Sequence, residues 1–328
     1  MQNWENKIFG IKSEKEFCEL ALHAFRFQYE NVLVYRNYCE ALSVHPERVQ
    51  TIFEIPFLPI EFFKQFEILA NDLSSEIVFN SSGTGSQKLS SHHVHSLALY
   101  EKSFLSAFQL FYGDPSQYCF LALLPSYLER GGSSLVYMCK ELIQMSQNSL
   151  SDFYLYDFDK LSKTIETLSK TGQPTVLIGV TYALLDFADS GIPLSENFIV
   201  METGGMKGKR KEMIKQEVHQ VLRQKFKIRE IHSEYGMTEL LSQAYSKKEG
   251  LFQSPPWMRI LIRDAEDPFS YHEVNRSGGI NVIDLANIYS CCFIETKDLG
   301  KLHPKSSFEV LGRFDNSDLR GCNLMMQF

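Results

Sequence analysis

Ser81-Ser82-Gly83-Thr84-Gly85-Ser86-Gln87-Lys88 gathers hydroxyls, two glycines and a lysine into one short segment. Glycines let a backbone approach a ligand closely, and hydroxyls, N–H groups and an ammonium all donate to phosphate oxygens. The segment is not a Walker loop, because Gly-Lys-Ser/Thr is missing. Nor is it a dinucleotide fingerprint, because Lys88 stands where the third glycine belongs. Taken alone, it reads equally as a phosphate loop or as a polar connection that follows a strand and precedes a helix.

Three further segments carry groups of the same kind. Glu202-Thr203-Gly204-Gly205-Met206-Lys207-Gly208 would let a ligand ring lie against bare backbone, although a tight turn needs the same residues. His232-Ser233-Glu234-Tyr235-Gly236-Met237-Thr238-Glu239 is more specific. Tyr235 offers a ring on which a planar base can stack, Thr238 a hydroxyl for a phosphate, and Glu239 an oxygen ligand for Mg²⁺. Asp298, in Thr296-Lys297-Asp298-Leu299-Gly300, reads as a turn carboxylate able to accept two hydrogen bonds from a ribose diol. Arg313, in Gly312-Arg313-Phe314-Asp315, can reach the same nucleotide. Each of these, alone, is also an ordinary structural residue.

Other chemistries fit less well. His92, His93 and His95 lack a second ligand set at metal spacing, and are expected to open the helix after the glycine-rich loop. His232 either touches substrate or ends a strand. Gly-x-Ser-x-Gly is absent, which disfavours a serine hydrolase.

The elements that must hold these loops follow a simple pattern. The first 75 residues read as helical, with Phe17, Leu20, Ala21, Ala24 and Phe27 at helical spacing and Gln28 as a polar exception. Ile55-Pro56-Phe57-Leu58-Pro59 must be extended. Apolar runs at Glu76–Phe79, Tyr118–Leu124, Thr175–Val180 and Asn197–Met201 read as buried strands, with a further strand at Ile228–His232. Amphipathic stretches at Ser96–Phe111, Ser133–Gln144, Tyr182–Ala188 and Lys211–Phe226 read as helices. Alternating strands and helices imply a mainly parallel sheet, with ligands bound beyond the carboxyl ends of its strands. The last part differs: Trp257–Arg263, Gly279–Leu285, Tyr289–Glu295 and Phe308–Gly312 read as strands of a smaller β-rich subdomain. The expected division is 1–75, a helical part of the large domain; 76–250, the α/β nucleotide-binding core; and 251–328, the β-rich subdomain with a hinge-like tail.

Composition narrows the class. A formal charge of −7 provides no basic face for nucleic acid. The one basic run, Lys207 to Lys215, reads first as a solvated face. Seven cysteines, with no Cys-x-x-Cys pair, suggest neither a disulfide framework nor a zinc ribbon. No signal peptide and no run of about 18 apolar residues is visible, so the expected setting is the cytoplasm without a membrane span. The 25 phenylalanines are compatible with a large core or an apolar pocket.

Taken in order, the segments resemble the adenylate-forming superfamily, which activates carboxylates as acyl-AMP and passes the acyl group to a thiol. Tyr235–Glu239 matches its Tyr-Gly-x-Thr-Glu motif without a gap. Ser81–Lys88 looks like its phosphate loop, Lys297–Gly300 its Gly-Asp-x-Gly motif, and Gly312–Asp315 its Gly-Arg-x-Asp hinge. Within it, the chain most resembles the acyl-protein synthetases of bacterial luminescence fatty-acid reductase, through Ile55–Pro59, Ile283-Asp284-Leu285-Ala286-Asn287 and Leu319-Arg320-Gly321-Cys322.

That resemblance implies an α/β large domain, mainly parallel sheets flanked by helices, and a β-rich subdomain. It implies ATP and Mg²⁺ as cofactors and a carboxylic acid, specifically a fatty acid, as substrate. Ser81, Ser82, Gly83, Thr84, Gly85 and Lys88 would cradle phosphates, and Gly204 and Gly205 would border the adenine. Tyr235 and Gly236 would hold the base, Thr238 would contact the α-phosphate or the acyl carboxylate, and Glu239 would hold Mg²⁺. Asp298 would hold the ribose, with Arg313 assisting. Cys322 matches the position of the family's acyl-carrying cysteine.

The departures are specific. The phosphate loop is one residue short and lacks a proline before Lys88, and Lys297 replaces a glycine. The chain stops after the hinge motif, so the mobile C-terminal domain of about a hundred residues, the size of an independent domain, is expected to be absent. Its catalytic lysine would then be supplied by a partner, or by Lys88 or Lys209, or not at all. The acyl acceptor is its own Cys322, coenzyme A, a carrier protein or a reductase partner. The reading of another class is a catalytically weak nucleotide- or acyl-binding subunit.

Overall fold

A computed structural model describes residues 4–81, 88–124, 132–205 and 213–314. The chain forms two compact units, one from Met1–Ser74 with Pro256–Phe328 and the other from Ser75–Pro255.

The first unit begins with helices α1 (Trp4–Phe9), α2 (Glu14–Asn31) and α3 (Leu33–Ala41). A reciprocal cap between Ser13 and Glu16 starts α2, satisfying backbone N–H groups that a helix end leaves open. Phe17, Ala21, Ala24, Phe25 and Gln28 are its buried residues. Gln28 is the polar exception in that stripe, and the structure explains it. Its Nε2 donates to the Asn287 and Ile288 carbonyls at 3.1 and 2.9 Å, and its Oε1 accepts from the Cys292 N–H at 2.9 Å. A buried amide is tolerated when both ends are paired. Strand β1 (Leu58–Pro59) and the short helix α4 (Phe62–Gln65) complete this portion.

The second unit opens with a hairpin, β2 (Ile77–Asn80) against β3 (Ser91–Val94), antiparallel and separate from the large sheet. This corrects the expectation that Glu76–Phe79 joins the parallel sheet and that a helix follows the glycine-rich loop. Ser81–Lys88 instead lies between two paired strands. The Ser81 N–H donates to the Ser90 carbonyl at 2.9 Å, and Ser81 Oγ accepts from the Ser90 N–H at 2.9 Å. His92 and His93 are therefore strand residues, the first buried and the second half-buried, as strand alternation requires. Helix α5 (Leu97–Tyr112) starts later, capped by Ser96.

The unit then alternates: β4 (Cys119–Leu123), α6 (Ser134–Ser146), β5 (Asp152–Phe153), α7 (Phe158–Thr171), β6 (Thr175–Gly179), α8 (Thr181–Ala188), β7 (Phe198–Glu202), α9 (Lys215–Phe226), β8 (His232–Tyr235), β9 (Ala244–Ser246) and β10 (Phe252–Gln253). Its strand order is β5-β4-β6-β7-β8-β9-β10, parallel as far as β8 and antiparallel beyond. Strands β4 and β6 are buried along their whole length, which is why they read as continuous apolar runs. The strand expected at Ile228–His232 lies later, because pairing with β7 begins at His232.

The first unit closes with β11 (Met258–Arg263), β12 (Ser277–Asp284), β13 (Phe293–Leu302) and β14 (Phe308–Arg313), an antiparallel sheet in that order, with β1 parallel to β13. Phe293 lies among Phe25, Tyr35 and Phe57, with ring centroids 6.0–6.4 Å apart. Many of the phenylalanines are thus core residues: Phe17, Phe25, Phe63, Phe104, Phe120 and Phe187 are among the largest fully buried side chains. Cys291 and Cys292 are buried too, and burial pushes both thiols up, away from the reactive thiolate.

Candidate functional site

The carboxyl ends of adjacent parallel strands carry two of the segments singled out by sequence. Strand β7 ends at Glu202 and runs into Thr203-Gly204-Gly205; β8 ends at Tyr235 and runs into Gly236–Glu239. The two strands pair through Met201 with His232 and Glu202 with Ser233. Gly204 and Gly205 have φ of 76° and 89°, a conformation that favours glycine. Their carbonyls accept hydrogen bonds from the Thr181 and Tyr182 N–H groups at 3.1 and 3.4 Å, fixing the loop against the start of α8.

Glu202 anchors this arrangement, and its side chain is only 2% exposed. Oε2 accepts from the Gly204 N–H at 2.8 Å and from Thr181 Oγ1 at 3.1 Å. Oε1 accepts from Ser233 Oγ at 2.8 Å and from Lys215 Nζ, with His219 Nε2 at 3.4 Å. Burial by itself would raise this carboxyl. The Lys215 charge, with hydrogen bonds from His219 and Lys215, outweighs it and holds Glu202 well below the usual range. Sequence reasoning missed this cluster. Lys215 closes the basic run that reads as a solvated face, and the structure corrects that: its ammonium sits on a buried carboxylate. The spacing of Lys215 and His219, one helical turn apart, was the available signal.

Tyr235 is buried, its ring packed edge-on against Phe252 with centroids 5.9 Å apart. Thr238 is half-buried and Glu239 buried. The Thr238 carbonyl oxygen lies 2.7 Å from His92 Nδ1. The hairpin flanking the glycine-rich loop and the Tyr-Gly-Met-Thr-Glu segment are therefore tied directly together. Lys88 is exposed, three residues before the return strand begins at Ser91. Ser82, Gly83, Thr84 and Gly85, like Lys209 and Cys322, lie outside the described residues.

His232 begins β8 rather than ending a strand. It stands 3.1 Å from the Tyr112 hydroxyl, and burial, then the Lys247 charge, lowers it to about 4. Asp298 does not occupy a turn. It lies within β13, held there because β13 pairs on both sides, and it is the cross-strand partner of Arg313 on β14. Arg313 Nε is 3.7 Å from Asp298 Oδ1, with Arg313 largely exposed.

Among the described residues no group of three or more His, Cys, Asp and Glu side chains is arranged to hold a metal. Glu239 is one hard, buried carboxylate, in the Tyr235–Glu239 segment. That fits Mg²⁺, which is commonly held by one or two carboxylates together with substrate phosphates and water.

No family model matches the chain, and no curated protein matches it. Solved structures do. An open conformation of 2-hydroxyisobutyryl-CoA ligase, in complex with 2-HIB-AMP and CoA, superposes with a TM-score of 0.67 at 9% identity, over 92% of this chain and 70% of that one. The chain has the fold of that ligase. The same enzyme in its postadenylation state, with 2-HIB-AMP, also gives 0.67 at 9% identity, over 92% and 68%. The ATP-bound RpMatB-BxBclM chimera B3 gives 0.52 at 17% identity, over 72% of this chain and 47% of that chain, so the present chain spans about half its length. The ligase fold is the mixed α/β architecture expected from the strand and helix pattern. Among the described residues no helix is long and apolar enough to cross a membrane.

Proposed function

We propose that this chain activates a carboxylic acid with ATP, forming acyl-AMP and pyrophosphate, and passes the acyl group to a thiol. The observation that carries the reading is the 2.7 Å contact between His92 Nδ1 and the Thr238 carbonyl. It links the hairpin of the phosphate-loop segment to the segment matching Tyr-Gly-x-Thr-Glu, on the fold of a ligase whose structure holds an acyl-AMP.

The chemistry follows from charge. A carboxylate is a poor electrophile because oxide would have to leave. Attack of a carboxylate oxygen on the α-phosphorus breaks the bond to pyrophosphate and makes AMP the leaving group. A thiolate sulfur then attacks the acyl carbon and AMP departs with the bridging oxygen. The protein's task is positioning and neutralisation of the gathered negative charge.

In this reading Ser81, Ser82, Gly83, Thr84, Gly85 and Lys88 bind phosphates, and Gly204 and Gly205 present bare backbone to the adenine. Tyr235 and Gly236 flank the base, and Thr238 orients the α-phosphate or the carboxylate. Asp298 and Arg313 are assigned to the ribose. Glu239 would hold Mg²⁺, which neutralises phosphate charge when bound. The substrate is proposed to be a fatty acid and the first acceptor Cys322, with coenzyme A, a carrier protein or a reductase partner as other acceptors.

Exchange of labelled pyrophosphate into ATP tests the reading. A fatty or other carboxylic acid should stimulate it. If no acid in a broad panel does so while the protein still binds ATP, the chain is a nucleotide-binding subunit and not a ligase.

A further inference from the structure

Glu234 and Tyr245 are cross-strand partners on β8 and β9, so their side chains project from the same face of the sheet. Gln243, two residues before Tyr245, belongs to the same cluster. A Cβ placed on Gly236 would land on Glu234 Oε1 and come within 3.3 Å of Gln243 Cγ. Glycine at that position therefore leaves the space in which the Glu234 and Gln243 side chains meet.

All three side chains are more than nine-tenths buried. Tyr245 OH and Gln243 Oε1 nevertheless have no hydrogen-bond partner. Two such atoms on residues two apart in the chain are unusual, because buried polar groups are nearly always paired. The surroundings are not otherwise deficient. The Tyr245 ring packs against Phe111 and Tyr112 of α5, at 5.3 and 5.4 Å, and Ser242 Oγ is paired with Ser103 Oγ at 3.0 Å.

We propose that Glu234, Gln243 and Tyr245 form a subsite for an uncharged hydroxyl group carried on the chain of the acid substrate. This rests on the proposed acid activation. A hydroxyl has one hydrogen to give and lone pairs to receive. It can donate to Gln243 Oε1 or accept from Tyr245 OH, supplying a partner that these buried atoms lack. The group opposite Tyr245 suits a neutral ligand. Burial, then the Glu202 charge, pushes the Glu234 carboxyl up to about 8 against the pull of Lys215, so at neutral pH it is a protonated acid with a proton to donate. Gly236 belongs at once to this cluster and to the Tyr235–Glu239 segment, which places the subsite beside the proposed reaction centre.

The experiment compares matched acids in the pyrophosphate exchange assay with the full chain. Straight-chain acids are paired with their hydroxylated and amino-substituted counterparts, the substituent being moved along the chain. At least one hydroxylated acid should exceed its plain counterpart by about tenfold or more in kcat/KM, because a site built to pair a hydroxyl rejects the analogue that lacks it. Tyr245→Phe and Gln243→Leu should each bring that ratio toward one. Exchange with no preference for any hydroxylated acid, a preference for the amine, or a proportional fall for all acids in both variants would overturn the subsite and leave acid activation standing. Absence of exchange with every acid would overturn acid activation, and this assignment with it.

Discussion

His92 Nδ1 stands 2.7 Å from the carbonyl oxygen of Thr238. A carbonyl only accepts, so Nδ1 carries the hydrogen and the imidazole is oriented by the contact. The ring itself is completely buried on β3. One hydrogen bond thus joins strands and loops 146 residues apart in sequence.

His92→Leu removes this tie while keeping an apolar body in the core. The expected cost is about 1–3 kcal/mol in unfolding free energy, for a buried carbonyl left without its donor. The variant should still fold, with KM for ATP raised and the reaction slowed. Unfolding curves together with exchange kinetics check this. Unchanged kinetics in a destabilised variant would make the contact purely structural.

Lys215→Met leaves the Glu202 carboxylate buried without its cation. Breaking a buried pair in this way costs about 3–5 kcal/mol, and the part-exposure of Lys215 puts the expectation at the lower end. The sign of the pH dependence follows from Glu202 being held well below the ordinary carboxyl value of 4.5. Its stabilisation is present above about pH 4.5 and is lost as the pH falls through the folded value. The gap between wild type and Lys215→Met should therefore be full at neutral pH and shrink as the pH is lowered toward and below 4.5. Denaturant titrations over that range measure it, and a gap independent of pH would contradict the pairing.

Glu234 predicts the opposite slope. Folded, it keeps its proton until about pH 8, whereas the ordinary value is 4.5. The neutral carboxyl's contribution is full below about pH 4.5 and declines as the pH rises toward 8. The total is on the order of 5 kcal/mol at about 1.4 kcal/mol per unit. Glu234→Gln has no proton to lose. It should flatten that decline and be more stable than wild type at pH 8. Parallel stability profiles for the two proteins would contradict the assignment.

Cys322 gives a separate prediction. Incubation with labelled acid and ATP should leave a hydroxylamine-sensitive adduct on the protein, as expected of a thioester. Cys322→Ser should abolish the adduct and leave acid-dependent pyrophosphate exchange intact. Retention of the adduct in that variant would exclude Cys322 as the first acceptor.

The legible parts of the sequence were those where local pattern and final environment agree. Thr175–Gly179 and Phe198–Glu202 are buried strands with few polar residues, and they read as such. Helix α7 went unread because its lysines, threonines and serines leave Leu161, Ile165 and Leu168 as a thin apolar stripe. Ile77–Asn80 looks the same to its neighbours in a hairpin as in a large sheet, so its pairing with Ser91–Val94 was not available locally. Asp298 resembled a turn residue because of its neighbours Lys297 and Gly300; two flanking strands made it part of β13. The order of the motif segments was visible, but the partners of Glu202 were not. Lys215, His219 and Ser233 meet it only through the packing of α9 and β8 on β7.

The most direct test follows an oxygen atom. The chain is supplied with ATP, a thiol acceptor and a carboxylic acid labelled with ¹⁸O in its carboxylate, and the released AMP is analysed by mass spectrometry. Attack on the α-phosphorus followed by thiol transfer predicts AMP carrying one labelled oxygen from the acid. Unlabelled AMP, or ADP as the nucleotide product, would contradict acyl-adenylate formation.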